Sequence, residues 1–249
     1  MQLTQNKWVR LLSGNPNPRL RVFCLPYAGG GTLQYRPWAR ALPDELQLCA
    51  LLLPGREERM GEPGWTQMEP LVTALVEAMR PLLDRPFVLY GHSMGALISY
   101  ELAHALRRTL GVEPARLIVS GRSAPEVTNQ TTFHKLPDDS LVTALNQRYG
   151  GIPQVLLNEP ELLAMFVPVL RADFTLIETY RYEPREPLTC ALTAFGGTRD
   201  RTVSPAAVQA WQHHTVGPFA AHFVEGEHFF IQSNQARWLA LFNSELRQT

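Results

Sequence analysis

The chain has 249 residues, 45% of them hydrophobic, enough to bury one sizeable core without dividing into separate domains. Its 23 lysines and arginines balance 23 aspartates and glutamates, so zero net charge excludes a broad attraction to nucleic acid or an anionic membrane. No stretch approaches 18 apolar residues and Met1 to Arg10 lacks the apolar core of a secretion signal, so the expectation is a soluble chain of the cytoplasm.

Short apolar runs rich in Val, Leu and Phe alternate with segments of 3.6-residue periodicity, the pattern of a mostly parallel sheet with helices on both faces. Trp8-Val9-Arg10 can add an edge strand. In chain order the pattern predicts strand 21–25, helix 33–42, strand 46–53, helix 68–83, strand 86–90, helix 95–110 and strand 116–120. After a break it resumes with strand 189–195, helix 205–214, strand 220–224 and helix 230–246. Cys24, Cys49 and Cys190 each lie in such an apolar run and none is spaced from another like a metal or redox pair, so buried reduced thiols are expected.

The break spans 121–182 and contains no convincing strand. Residues 138–149 and 159–180 read as helices, with Pro137 and Pro160 near their starts and Pro168 predicting a kink in the second. An insertion of this size, 122–183, on a single α/β domain covering 1–249 reads as a helical lid. Leu162, Met165, Phe166, Val169, Leu170, Phe174 and Ile177 recur at helical spacing there. Contact with a bound substrate and ordinary core packing are both open for them.

Gly91-His92-Ser93-Met94-Gly95 follows the apolar run Phe87-Val88-Leu89-Tyr90 and precedes a helical stretch, the strand–turn–helix context in which G-x-S-x-G becomes a nucleophile elbow. Ser93 is the candidate nucleophile. A serine hydroxyl needs a base, and the base an orienting carboxylate. Asp200, after the strand at 189–195 and Gly196-Gly197-Thr198-Arg199, and His228, after the last strand, supply them in the Ser, Asp, His order of α/β-hydrolases. Glu126, after the strand ending at Ser120, ranks below Asp200 as the acid. His104, His134, His213, His214 and His222 fit less well as the base, and the ring of His92 is expected to pack beside the nucleophile. The oxyanion donors are assigned to the Met94 N–H, directly after the nucleophile, and to the Ala28 N–H in Pro26-Tyr27-Ala28-Gly29-Gly30-Gly31. That glycine run fits neither phosphate-binding fingerprint, which argues against a nucleotide.

With these residues assembled, the chain resembles a type II thioesterase, the stand-alone editing hydrolase of nonribosomal peptide and polyketide synthesis. The likeness rests on Leu25-Pro26-Tyr27-Ala28-Gly29-Gly30, Leu53-Pro54-Gly55-Arg56-Glu57-Glu58-Arg59, the elbow, Ser120-Gly121-Arg122, Gly196-Gly197-Thr198-Arg199-Asp200 and Gly226-Glu227-His228-Phe229. It implies an α/β-hydrolase fold, removal of stalled or aberrant acyl groups from the phosphopantetheine arm of acyl or peptidyl carrier domains through a Ser93 acyl-enzyme, no cofactor or metal, and a monomer that meets its carrier transiently. Arg56 and Arg59 leave two alternatives, contact with a phosphate or an acidic carrier and, more ordinarily, a solvated loop or internal ion pairs. A medium-chain fatty acyl-carrier thioesterase, a general carboxylesterase and a non-catalytic hydrolase shell are the competing functions.

Overall fold

The computed structural model describes residues 6–13, 15–127 and 131–249; residues 1–5 of the N-terminal segment 1–10, residue 14 and residues 128–130 of the predicted insertion lie outside them. Among the described residues seven strands, β1 (Val9–Leu11), β2 (Leu20–Leu25), β3 (Leu46–Leu51), β4 (Phe87–His92), β5 (Arg116–Ser120), β6 (Ala191–Gly197) and β7 (Phe219–Val224), form one sheet in the order β1-β3-β2-β4-β5-β6-β7. Only β1 runs antiparallel, pairing Arg10 with Ala50; the others are parallel, with Phe23 opposite Leu89, Tyr90 opposite Ile118 and Ser120 opposite Phe195. Every residue of β2, β3, β4 and β5 is buried, which is why these strands read as continuous apolar runs rather than alternating ones.

Helices cover both faces. On one face α2 (Met68–Met79) and α3 (Met94–Leu110) pack Leu75, Val76, Ile98 and Leu102 against Phe23, Leu89 and Leu117. On the other, α1 (Arg36–Ala41) and the C-terminal helix build an aromatic layer in which Tyr90 lies 5.4 Å from both Trp38 and Trp238, ring to ring. The three cysteines are buried and free. No helix among the described residues is long and apolar enough to cross a membrane.

The departures from the predicted boundaries have local causes. The helix predicted over 68–83 ends at Met79 and continues as a tight turn, Arg80–Leu82, because Pro81 has no N–H to extend the ladder. The strand predicted to open at 189 begins at Ala191 instead, since the N–H groups of Thr189 and Cys190 are captured by Glu113 Oε2 at 2.8 and 3.1 Å. It then runs to Gly197, opposite Val224. Helix 205–214 is α7 (Pro205–Gln209) followed by a 3₁₀ turn at Ala210–His214, and helix 230–246 is divided at Asn234 into α8 (Phe230–Ser233) and α9 (Gln235–Arg247).

Between β5 and β6 lie α4 (Asp138–Tyr149), α5 (Gln154–Asn158) and α6 (Pro160–Thr179). The short α5 is absent from the sequence prediction, and α6 runs through Pro168 as one helix. The insertion has a core of its own, in which Leu141, Val142 and Leu145 of α4 meet Val167, Leu170 and Phe174 of α6. Glu178 ties its start to its end by accepting the N–H groups of Phe133 and His134 at 2.9 and 3.0 Å.

Candidate active site

Ser93 stands at the junction of β4 and α3 with φ 54° and ψ −113°, a conformation that a residue with a side chain adopts only where its surroundings enforce it. Its N–H is held by Ser120 O at 2.8 Å. The flanking glycines are sterically required: a Cβ at Gly91 would stand 2.0 Å from Gly95 O, and one at Gly95 would stand 2.3 Å from Leu25 O. Strand, turn and helix thus lift the Ser93 side chain above the carboxyl end of the sheet.

His228 Nδ1 lies 2.8 Å from Asp200 Oδ2. The other oxygen of Asp200 accepts the N–H of Thr202 at 2.8 Å and its hydroxyl at 2.7 Å. Burial pushes the Asp200 carboxyl upward, and the bonds from His228 and Thr202 outweigh it, so the group is held below the ordinary carboxylate range and stays ionised. Thr202 is a partner of Asp200 absent from the sequence-based set of candidates; Asp-x-Thr, the pattern of a side chain bonding its own backbone two residues on, was the available signal. Glu126 is bound elsewhere, to His214 Nε2 at 2.6 Å, and does not reach His228.

Ser93 and His228 line one cavity of about 360 Å³ at the carboxyl ends of β2, β4, β5 and β6, where open parallel sheets place their sites. Among the described residues no hydrogen bond joins Ser93 Oγ to His228, a contact that in unliganded sites is often long and closes on substrate binding. Ala28 also lines the cavity, in the loop after β2. Met94 opens α3, so its N–H has no acceptor one turn earlier in the helix. Among the lining residues Arg122 alone carries a permanent charge. Among the described residues no cluster of His, Cys, Asp or Glu has the makings of a metal site.

The insertion supplies the apolar wall. Of the seven side chains singled out in the sequence, Phe166, Leu170, Phe174 and Ile177 line the cavity, Leu162 and Met165 are exposed on the outside, and Val169 is buried away from it. Leu145, Tyr149, Ile152 and Leu156 complete the wall, and the Tyr149 ring packs 5.0 Å from His228. Arg56 and Arg59 take the internal alternative. Arg56 forms a buried pair with Asp173, while Arg59 bonds Glu62 at 2.6 Å and lies 3.9 Å over the Trp8 ring.

His92 is fully buried, its ring 5.2 Å from that of His228 and its Nδ1 2.9 Å from Ser120 Oγ. Burial, reinforced by the neighbouring His228, holds it well below the ordinary imidazole range, so it is neutral in the fold. The unfolded chain takes up that proton below about pH 6.5, and the folded chain does not. Its contribution to stability is therefore present above pH 6.5 and is lost on acidification at up to ~1.4 kcal/mol per pH unit. Urea melts between pH 7.5 and 5.5 should show a shallower loss of stability in His92→Gln than in the parent; equal slopes would remove His92 from the account.

A serine raised on a strained turn after a central parallel strand, with a carboxylate and a histidine delivered by the loops after β6 and β7, defines an α/β-hydrolase. Residues 20–244 match the thioesterase-domain family, and the chain belongs to that family of hydrolases and, within it, to the type II thioesterases. It is 37% identical over 243 residues to the gramicidin S biosynthesis protein GrsT of Aneurinibacillus migulanus, covering 97% of this chain and 94% of that one. The structure resembles that of the RedJ thioesterase from the prodiginine pathway of Streptomyces coelicolor with a TM-score of 0.88 at 36% identity, covering 94% of this chain and 92% of that one. It resembles the type II thioesterase BorB from the borrelidin biosynthetic cluster with a TM-score of 0.86 at 32% identity, covering 96% and 97%.

Proposed function

We propose that Ser93, His228 and Asp200 are a nucleophile, base and acid that hydrolyse acyl thioesters from the phosphopantetheine arm of carrier domains in nonribosomal peptide or polyketide synthesis, clearing stalled or aberrant acyl groups. The observation that carries this reading is the His228–Asp200 bond of 2.8 Å beside the cavity that Ser93 shares, under an apolar helical wall. Ser93 Oγ attacks the thioester carbonyl as His228 Nε2 takes its proton. The oxyanion forms against the Ala28 and Met94 N–H groups, and its collapse expels the pantetheine sulfur, which receives the proton from His228. Water, deprotonated by the same histidine, then attacks the acyl-enzyme to release the acid and restore Ser93.

These steps use no cofactor or metal. The helices of 122–183 act as a lid whose apolar wall accepts varied acyl chains, and the carrier docks transiently on a monomer in the cytoplasm. Hydrolysis of acetyl on a phosphopantetheinyl carrier, compared with an acetyl oxygen ester and a medium-chain acyl carrier, tests the reading. Release from the carrier should be the fastest and should tolerate both chain lengths. A strong medium-chain preference would instead mark a fatty-acyl thioesterase, and equal or faster cleavage of the simple ester a general esterase.

A further inference from the structure

The loop carrying the Ala28 N–H is gripped by the insertion. The Gly29 N–H donates to Asp173 Oδ2 at 2.7 Å, and Asp173 lies on α6, 144 residues along the chain. The same carboxylate receives both ends of the Arg56 guanidinium, Nη1 to Oδ2 at 3.1 Å and Nη2 to Oδ1 at 2.8 Å, and Arg56 Nη1 also donates to Gly30 O at 3.0 Å. Phe166, Leu170 and Asp173 follow one another at i, i+4 and i+7, so one face of α6 closes on Gly29. A Cβ there would stand 2.7 Å from Phe166 Cζ and 2.8 Å from Leu170 Cδ2. The side chains of Arg56 and Asp173 are only 7% and 3% exposed. A buried ion pair is a poor device for stability alone, because an apolar pair of similar volume often serves as well, so its geometry asks for another explanation.

The bonds run along consecutive peptides. The Gly30 N–H donates to Tyr27 O at 2.8 Å, which turns that carbonyl into the loop; a planar trans peptide then points the Ala28 N–H the opposite way. Asp173 fixes the Gly29 N–H and Arg56 the Gly30 carbonyl. We propose that Asp173 and Arg56 are positioning residues for the oxyanion donor Ala28, so that the insertion sets the rate of the chemical step as well as walling the cavity. The proposal rests on the acyl-enzyme chemistry above, in which a donor displaced by an ångström leaves the oxyanion with one partner instead of two.

Asp173→Ala should lower kcat by about a hundredfold, on the order of losing one oxyanion donor, with KM changed by less than about twofold. Affinity for a boronic acid that forms a tetrahedral adduct with Ser93 should weaken by a similar factor, since it occupies the same donors. Asp173→Asn keeps an acceptor for the Gly29 N–H and should recover about tenfold of the loss. Because removing one partner strands a buried charge, the neutral double variant Arg56→Met/Asp173→Asn is measured alongside, with thermal melts of each. Assay on an activated oxygen ester as well as on the acyl carrier separates the two ideas: the same pattern on the ester, with no carrier hydrolysis by the parent, would end the carrier reading and leave the positioning role standing. Folded variants whose kcat stays within about threefold of the parent, or whose loss lies in KM with boronate affinity unchanged, overturn the proposal.

Discussion

Ser93→Ala should reduce kcat by about a millionfold, the scale on which a hydrolase falls when its nucleophile is removed, while the fold melts at nearly the parent temperature. The separation of the two effects follows from the elbow. What holds the turn is the backbone bond from the Ser93 N–H to Ser120 O and the absence of side chains at Gly91 and Gly95, all of which the variant retains. Alanine at φ 54° meets the same Cβ crowding that serine already tolerates, so the substitution adds no new strain. The hydroxyl makes no hydrogen bond among the described residues, so its removal strands no buried partner. Single-turnover hydrolysis of an acyl carrier, with mass spectrometry for the acyl adduct on the protein, measures both halves: the parent should accumulate or pass through the adduct and the variant should form none. Appreciable turnover by the variant would end the covalent mechanism.

Much of the candidate site is local in sequence, which is why its residues could be singled out there. The elbow needs five adjacent residues between a strand and a helix, and Asp200 and His228 sit just past the ends of β6 and β7, where an alternating βα pattern exposes its loops. Features made by contact across the fold were not legible. Arg56 and Asp173 are 117 residues apart, so nothing near Arg56 reveals that its partner is internal rather than a carrier. Helical spacing showed that Leu162, Met165, Phe166 and Leu170 form an apolar surface on α6, but not that the first two face outward and the others the cavity. Periodicity cannot say which side of a helix another element will cover. The boundaries slipped for two different reasons: Glu113 holds back the start of β6 from a distant loop, whereas Pro81, which ends α2, is a local signal present in the sequence itself.

Asp200→Asn should lower kcat by about 10⁴-fold, ~5 kcal/mol of transition-state stabilisation, with KM nearly unchanged. The size of the effect depends on Thr202. Its N–H and hydroxyl occupy one oxygen of Asp200 at 2.8 and 2.7 Å, and the other oxygen meets His228 Nδ1 at 2.8 Å. An asparagine in the same rotamer must choose which atom to offer to which neighbour. The backbone N–H of Thr202 can only donate, so the amide oxygen turns to Thr202 and the amide NH₂ to His228. Nδ1 must then accept, the imidazole proton moves to Nε2, and the nitrogen facing the cavity can no longer take a proton from Ser93. The variant should keep its shape and its substrate affinity but hold His228 in the wrong tautomer for the proposed role of base. Nitrogen-15 spectra of His228 give the direct check, with the protonated nitrogen exchanging from Nδ1 in the parent to Nε2 in Asp200→Asn. A fall in kcat of less than about tenfold, with the tautomer unchanged, would remove Asp200 from the role of orienting His228.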